Sequence, residues 1–136
     1  MSPVTHMTIG VAADTTITVE RESHTSQRPQ GLALEADHPL RVGSVEASHV
    51  VLWTDTSPER VEVRTTDAGD LRIWNVWRDS DLIQAWVGDA RIVIDDHGDD
   101  LGLQCHDGHP GVEPDLVVRL SFDRAWTQPA TDHDEP

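Results

Sequence analysis

Apolar and polar residues alternate along this chain in short runs, the period of strands that bury one face, and no stretch carries the spacing of an amphipathic helix. The alternation predicts strands over 15–21, 32–35, 49–54, 60–65, 70–77, 82–87, 91–95, 101–105 and 116–122, all rich in Val, Ile, Thr and Trp. Between them stand clusters of Gly, Pro, Asp and Ser at 56–59, 67–70, 79–81 and 95–100, where short side chains bond their own backbone and Gly permits positive φ. Short strands separated by regular turns imply an all-β fold, a single-domain antiparallel β-sandwich or open barrel of about seven to nine strands.

The length of 136 residues suits one domain with one core. That domain is expected to span 1–126, with the polar, unpatterned stretch 23–30 as a mobile loop. The tail 127–136, which contains Asp132, Asp134 and Glu135, is expected to be a disordered acidic segment.

Charge narrows the partners. Twenty-five acidic residues against ten basic ones give a formal charge of −15, and such a surface repels phosphates and anionic lipid, so neither nucleic acid nor membrane is an expected partner. All ten basic residues are Arg, and a carboxylate-rich, lysine-free surface also serves simple hydration. Cys105 is the only cysteine, which rules out an internal disulfide. The first residues lack a basic leader region and no apolar run is long enough to span a membrane, so a cytoplasmic protein is the expectation.

The most distinctive segment is Leu71-Arg72-Ile73-Trp74-Asn75-Val76-Trp77-Arg78, followed by Asp79-Ser80-Asp81 and Leu82-Ile83-Gln84-Ala85-Trp86-Val87. Three of the five tryptophans fall here. Strand parity puts Leu71, Ile73, Asn75 and Trp77 on one face, the core face, and Arg72, Trp74, Val76 and Arg78 on the other. A three-residue loop, 79–81, would set Trp77 opposite Ile83 and Trp74 opposite Trp86, adding Ile83, Ala85 and Val87 to the core and turning Gln84 outward. A two-residue loop that pairs Trp77 with Leu82 and Asn75 with Gln84 separates apolar from polar less well. In the preferred register Arg72, Trp74, Arg78, Gln84 and Trp86 form an outer face of indoles, guanidinium groups and an amide, suited to a protein or small-molecule ligand. The bland alternative is a cross-strand Trp pair that only stabilises the sheet. Asn75, the sole asparagine, is either a recognition group or a hydrogen bond fixing a neighbouring loop.

Two further clusters carry potential chemistry. Cys105, His106 and His109 are competent zinc ligands, yet no second half-site accompanies them, and Cys105 continues the alternation of Leu101 and Leu103 as a small buried hydrophobe. The 95–100 segment holds four carboxylates without the ligand order of a calcium loop, which reads as a solvated turn. No nucleophile elbow, phosphate-binding loop or paired catalytic carboxylates can be placed, so no catalytic residue and no cofactor are assigned. The leading expectation is a binding module using the hairpin face, the alternatives an acidic inhibitor or immunity-type protein that covers a basic partner, or a metal-dependent enzyme around Cys105, His106 and His109.

Overall fold

The computed structural model describes residues 3–25 and 27–127. Every second residue along most of the chain is apolar and branched, and that pattern folds into ten strands: β1 (Met7–Val11), β2 (Thr16–His24), β3 (Gln30–Val42), β4 (Val45–Trp53), β5 (Arg60–Thr65), β6 (Gly69–Asp79), β7 (Leu82–Gln84), β8 (Arg91–Asp96), β9 (Asp100–His106) and β10 (Leu116–Phe122). The described residues contain no helix. All strand pairs are antiparallel, in one sheet ordered β1-β6-β3-β5-β2-β10-β9-β8, with β4 added to β3 and β7 to β6.

β3 lets one sheet cover both sides of a core. Along one of its edges it pairs first with β6, Gln30 opposite Trp77 through Ala36 opposite Leu71, and then with β5 at Leu40 and Arg41. β4 takes the other edge throughout. The register slips between Glu35 and Leu40, where Asp37, His38 and Pro39 bulge outward. A bulge tolerates a proline with no N–H to donate, and it bends the strand so that the β6 and β5 sides face each other. The sheet curls into an open half-barrel whose two edges meet at one bridge, Val4 N–H to Ile92 O at 2.9 Å and Ile92 N–H to Val4 O at 2.6 Å.

The inward positions fill the core: Met7 and Ile9 from β1, Ile17 from β2, Leu32, Leu34 and Leu40 from β3, Leu71 and Ile73 from β6, Ile92 from β8, Leu101 and Leu103 from β9, and Leu120 from β10 are all essentially excluded from solvent. Burial of such side chains stabilises by about 1.5–3 kcal/mol each before chain entropy is charged against it.

Several expectations are corrected. β1 was not anticipated, although Met7, Ile9 and Val11 alternate; it is short, and Gly10 interrupts it where the backbone approaches Thr127, whose Oγ1 accepts the Gly10 N–H at 2.8 Å. The predicted strands 32–35 and 49–54 are parts of a longer hairpin whose turn is Gly43-Ser44, with Gly43 at φ 60°. The predicted strand 82–87 stops at Gln84. In the stretch 23–30, Ser23 and His24 belong to β2 and Gln30 to β3. Of the expected tail, Thr127 bonds to Gly10 through its N–H, and 128–136 lie outside the described residues.

β3 is buried on both faces from Gln30 to Leu34. Its outer positions are therefore small: a Cβ on Gly31 would lie 2.9 Å from both Trp53 Cε3 and Val51 Cγ1 and 3.0 Å from Val76 Cγ2. Gly31→Val is expected to destabilise the fold by about 1–3 kcal/mol through overpacking, despite valine's better strand propensity. Urea denaturation checks this, and a variant as stable as the parent would contradict it.

Candidate functional site

The hairpin of β6 and β7 closes on a two-residue loop, Ser80-Asp81, that pairs Asp79 with Leu82, Arg78 with Ile83 and Trp77 with Gln84. Ser80 stands at φ 59°, the left-handed region such a tight turn demands. This register differs from both sequence-based alternatives. Directly opposed residues share a face, so Gln84 joins Trp77 on the inner side rather than pointing outward, while Ile83 joins Arg78 on the outer side rather than the core. Ala85 is half-buried and Val87 is exposed, so neither belongs to the core as expected.

After Gln84 the chain leaves the sheet. Trp86 sits at φ 61°, an unfavourable conformation for a bulky residue. Its ring nevertheless reaches Trp74, centroid to centroid 5.3 Å, and His49 covers the other side of Trp74 at 5.5 Å. The two indoles thus meet as expected, though not as opposed strand residues. Trp86 remains 54 % exposed, Leu82 and Ile83 are 64 % exposed, and Val87 is 49 % exposed. Ile83 and the Trp86–Trp74 ring pair lie on the outer face, while Leu82, opposite Asp79, has the inner parity of Trp77; exposed apolar residues gathered in one segment are of the kind that marks interaction surfaces.

The two arginines expected to serve a ligand are already engaged. Arg78 Nη2 donates to both Asp55 oxygens, at 2.7 and 2.8 Å, and its guanidinium lies 4.5 Å from the Trp53 ring centroid. Arg72 donates to Glu35 at 3.0 Å and Asp37 at 3.1 Å, and these bonds raise its pKa. Asn75 is buried and donates its amide to the His106 carbonyl at 2.9 Å, which ties β6 to the end of β9 and removes it from any ligand's reach.

Beneath the face lies a buried polar cluster. Asp107 is fully excluded from solvent, yet Arg28 Nε at 2.9 Å, Gln30 Nε2 at 3.0 Å and the His109 N–H at 2.9 Å all donate to its carboxylate. Burial works to raise its pKa, but the hydrogen bonds from Arg28, His109 and Gln30 with the charge of Arg28 outweigh it, and the carboxyl is held below the usual carboxylate range. The loop after β9 is held further by His109 Nε2 against Asp79 Oδ2 at 2.9 Å and by the Asp107 N–H on Asp115 at 2.9 Å. Gly108 then packs so closely that an added Cβ would lie 2.7 Å from both Trp77 Cζ2 and the Val87 carbonyl oxygen.

The remaining candidate ligands do not converge. Cys105 faces the core, where burial first, and the Asp115 charge second, push its thiol up to about 12, leaving no thiolate for a metal or a substrate near neutral pH. His106 is buried, with its pKa lowered by desolvation and then by Arg91, while His109 turns to Asp79. Among the described residues no three His, Cys, Asp or Glu side chains are placed to hold a metal ion. In the 95–100 turn, His97 is clasped by Asp100 at 2.7 Å and Asp95 at 2.9 Å, a pair of contacts sequence reading missed. No helix among the described residues is long and apolar enough to cross a membrane. No family model matches this chain, and no curated protein and no solved structure matches it either.

The Asp107 cluster and the separate His97 turn set opposite pH limbs. The depressed pKa values of Asp107 and His106 contribute stability that is present above their unfolded values and lost as pH falls, beginning below about 6.5 for the imidazole and about 3.9 for the carboxyl. Asp107→Asn is expected to cost about 3 kcal/mol at pH 7, because Arg28 loses its buried partner, and to flatten the acid limb. Denaturation curves from pH 7 to pH 3 test both parts. The His97 pKa is raised by its bonds to Asp100 and Asp95, so any stability from that clasp is full below the unfolded value and lost as pH rises through the folded one. A proton NMR titration should place His97 above the ordinary histidine midpoint; a midpoint at or below it would refute the clasp.

Proposed function

We propose that this chain is a binding module that docks a protein segment on the outer face of the β6–β7 hairpin. The observation that carries the reading is the exposed, outward Ile83 and Trp86, with Trp86 against Trp74 and Trp74 against His49, in a segment whose Leu82 and Val87 are also exposed. A non-glycine residue kept in left-handed conformation with its indole in solvent costs stability, a cost that structure tolerates chiefly where a side chain must be presented. Tryptophan is also the residue that most often dominates interface energy.

A protein fits better than a small molecule. Small ligands favour concave, largely enclosed sites, and hollows of about 390 and 420 Å³ are lined instead by residues around Trp126. The single buried thiol supports a reducing, cytoplasmic setting, and the charge of −15 disfavours nucleic acid and anionic membrane as partners. The antagonist reading, in which one acidic face covers a basic enzyme, has less support. Carboxylates stand on β2 (Glu20, Glu22), β4 (Glu46), β5 (Glu62), the end of β8 (Asp95, Asp96) and the β8–β9 turn (Asp99) as well as around the hairpin.

The test is selection from a random peptide display library on the parent protein, with Trp86→Gly and Ile83→Ser as counter-selecting variants. Trp86→Gly is expected to keep stability within about 1 kcal/mol, since relief at positive φ offsets the lost Trp74 contact, while weakening selected peptides about 30-fold or more. Amide shifts on peptide addition should centre on Trp74, Ile83 and Trp86. If no clone distinguishes parent from variants, the hairpin face is not a binding surface.

A further inference from the structure

We infer that the segment bound at the hairpin face is basic as well as apolar, carrying arginine or lysine beside its hydrophobic anchors; this rests on the binding-module reading above. The chain's arginines are already engaged with its own acceptors. Among the described residues, seven of the ten arginines hold carboxylates: Arg28 on Asp107, Arg41 on Glu46, Arg60 on Glu20, Arg64 on Asp14, Arg72 on Glu35 and Asp37, Arg78 on Asp55, and Arg119 on Glu22. The other three donate to carbonyl oxygens, Arg21 to Ser57, Arg91 to Asp89 and Gly111, and Arg124 to Asp14. The surplus on the surface is carboxylate.

At the hairpin that surplus has a definite place. Asp81 and Asp89 flank the segment Leu82 to Val87, in which Leu82, Ile83, Trp86 and Val87 are exposed; both aspartates are exposed, and among the described residues neither carboxylate is held in an ion pair. Glu113 is likewise exposed, on the loop whose Gly111 carbonyl takes Arg91 Nη2, and beside Val112, which is 87 % exposed. Among the described residues the guanidinium here held by carbonyls alone is that of Arg91, which offsets one of these three charges. An incoming guanidinium or ammonium would meet the open indole face of Trp86 and a free carboxylate at either end of the run. Cation–π attraction and charge-assisted hydrogen bonds then act on the same group. An acidic segment would meet only repulsion, and a neutral one would leave the flanking carboxylates unused.

The experiment uses the full chain, the Trp86→Gly variant and an Asp81→Asn/Asp89→Asn variant, both positions being exposed and their backbone bonds unchanged by the amide. Peptides selected on the parent and lost on Trp86→Gly are sequenced, synthesised and titrated by calorimetry at low and high salt. Enrichment of arginine or lysine, about tenfold weaker binding to the double Asn variant, and weakening by salt would support the inference. Trp86-dependent peptides without basic enrichment, binding the double Asn variant as tightly as the parent, would overturn it and leave the hairpin face standing. A selection with no Trp86-dependent peptide would overturn both. Circular dichroism on each variant separates loss of fold from loss of binding.

Discussion

One buried carboxylate orders the end of the molecule that carries the exposed tryptophan. Asp107 has no solvent of its own, and a buried charge left alone would cost several kcal/mol, so the chain around it is arranged to donate. Arg28 comes from the β2–β3 connection, Gln30 from the start of β3, and the His109 N–H from the loop after β9. Two segments far apart in sequence, 28–30 and 107–109, are thereby fixed at one point. The loop after β9 then lies across Trp77 and the Val87 carbonyl, where only a glycine, Gly108, leaves room. Asp89 N–H bonds to Gly108 O at 3.2 Å, so the segment that displays Trp86 is anchored at its far end by the same loop.

The face itself depends on a second constraint, that β3 is central and needs both sides covered. Its inward residues meet the core, and its outward ones, Gly31 and Ala33, are small because Trp53, Val51, Val76 and Trp74 lie in the neighbouring rows. The outer layer is thus a thin apolar skin over the sheet, thickest where β4, β3 and β6 lie side by side. Trp74 belongs to that skin, and Trp86 extends it past the edge of the sheet. The same packing logic runs outward from the interior: Trp74, over β3, is met by Trp86, whose ring is still more than half open to solvent.

Period-two alternation made most of the strands readable, and parity along β6 correctly divided Leu71, Ile73, Asn75 and Trp77 from Arg72, Trp74 and Arg78. What the alternation could not convey was pairing. Asp37-His38-Pro39 looks like a strand end, yet it bulges within β3, because a bulge excuses the proline's missing donor. A loop of Ser80-Asp81 instead of 79–81 moves the partner strand by one residue, and with period two one residue exchanges Ile83 and Gln84 between faces. The roles of Arg72 and Arg78 were hidden for a different reason: Glu35, Asp37 and Asp55 lie far off in sequence, and only the β4-β3-β6 juxtaposition brings them into reach.

In the proposed binding role, acidity and the aromatic face would act over different distances, so that scattered charge and a local patch are compatible. Carboxylates spread over every side of the molecule make no docking surface, but their summed field extends about a Debye length and favours cationic encounters from any direction. Contact specificity must then come from short-range groups, and the segment between Asp81 and Asp89 is where indole, aliphatic surface and unspent carboxylate coincide. Had arginines been left free around Trp86, the same rings would have suited an anionic ligand. Because Arg72 and Arg78 are engaged with Glu35, Asp37 and Asp55, the proposed face is left with surplus carboxylate, the sign of charge that favours a cationic segment.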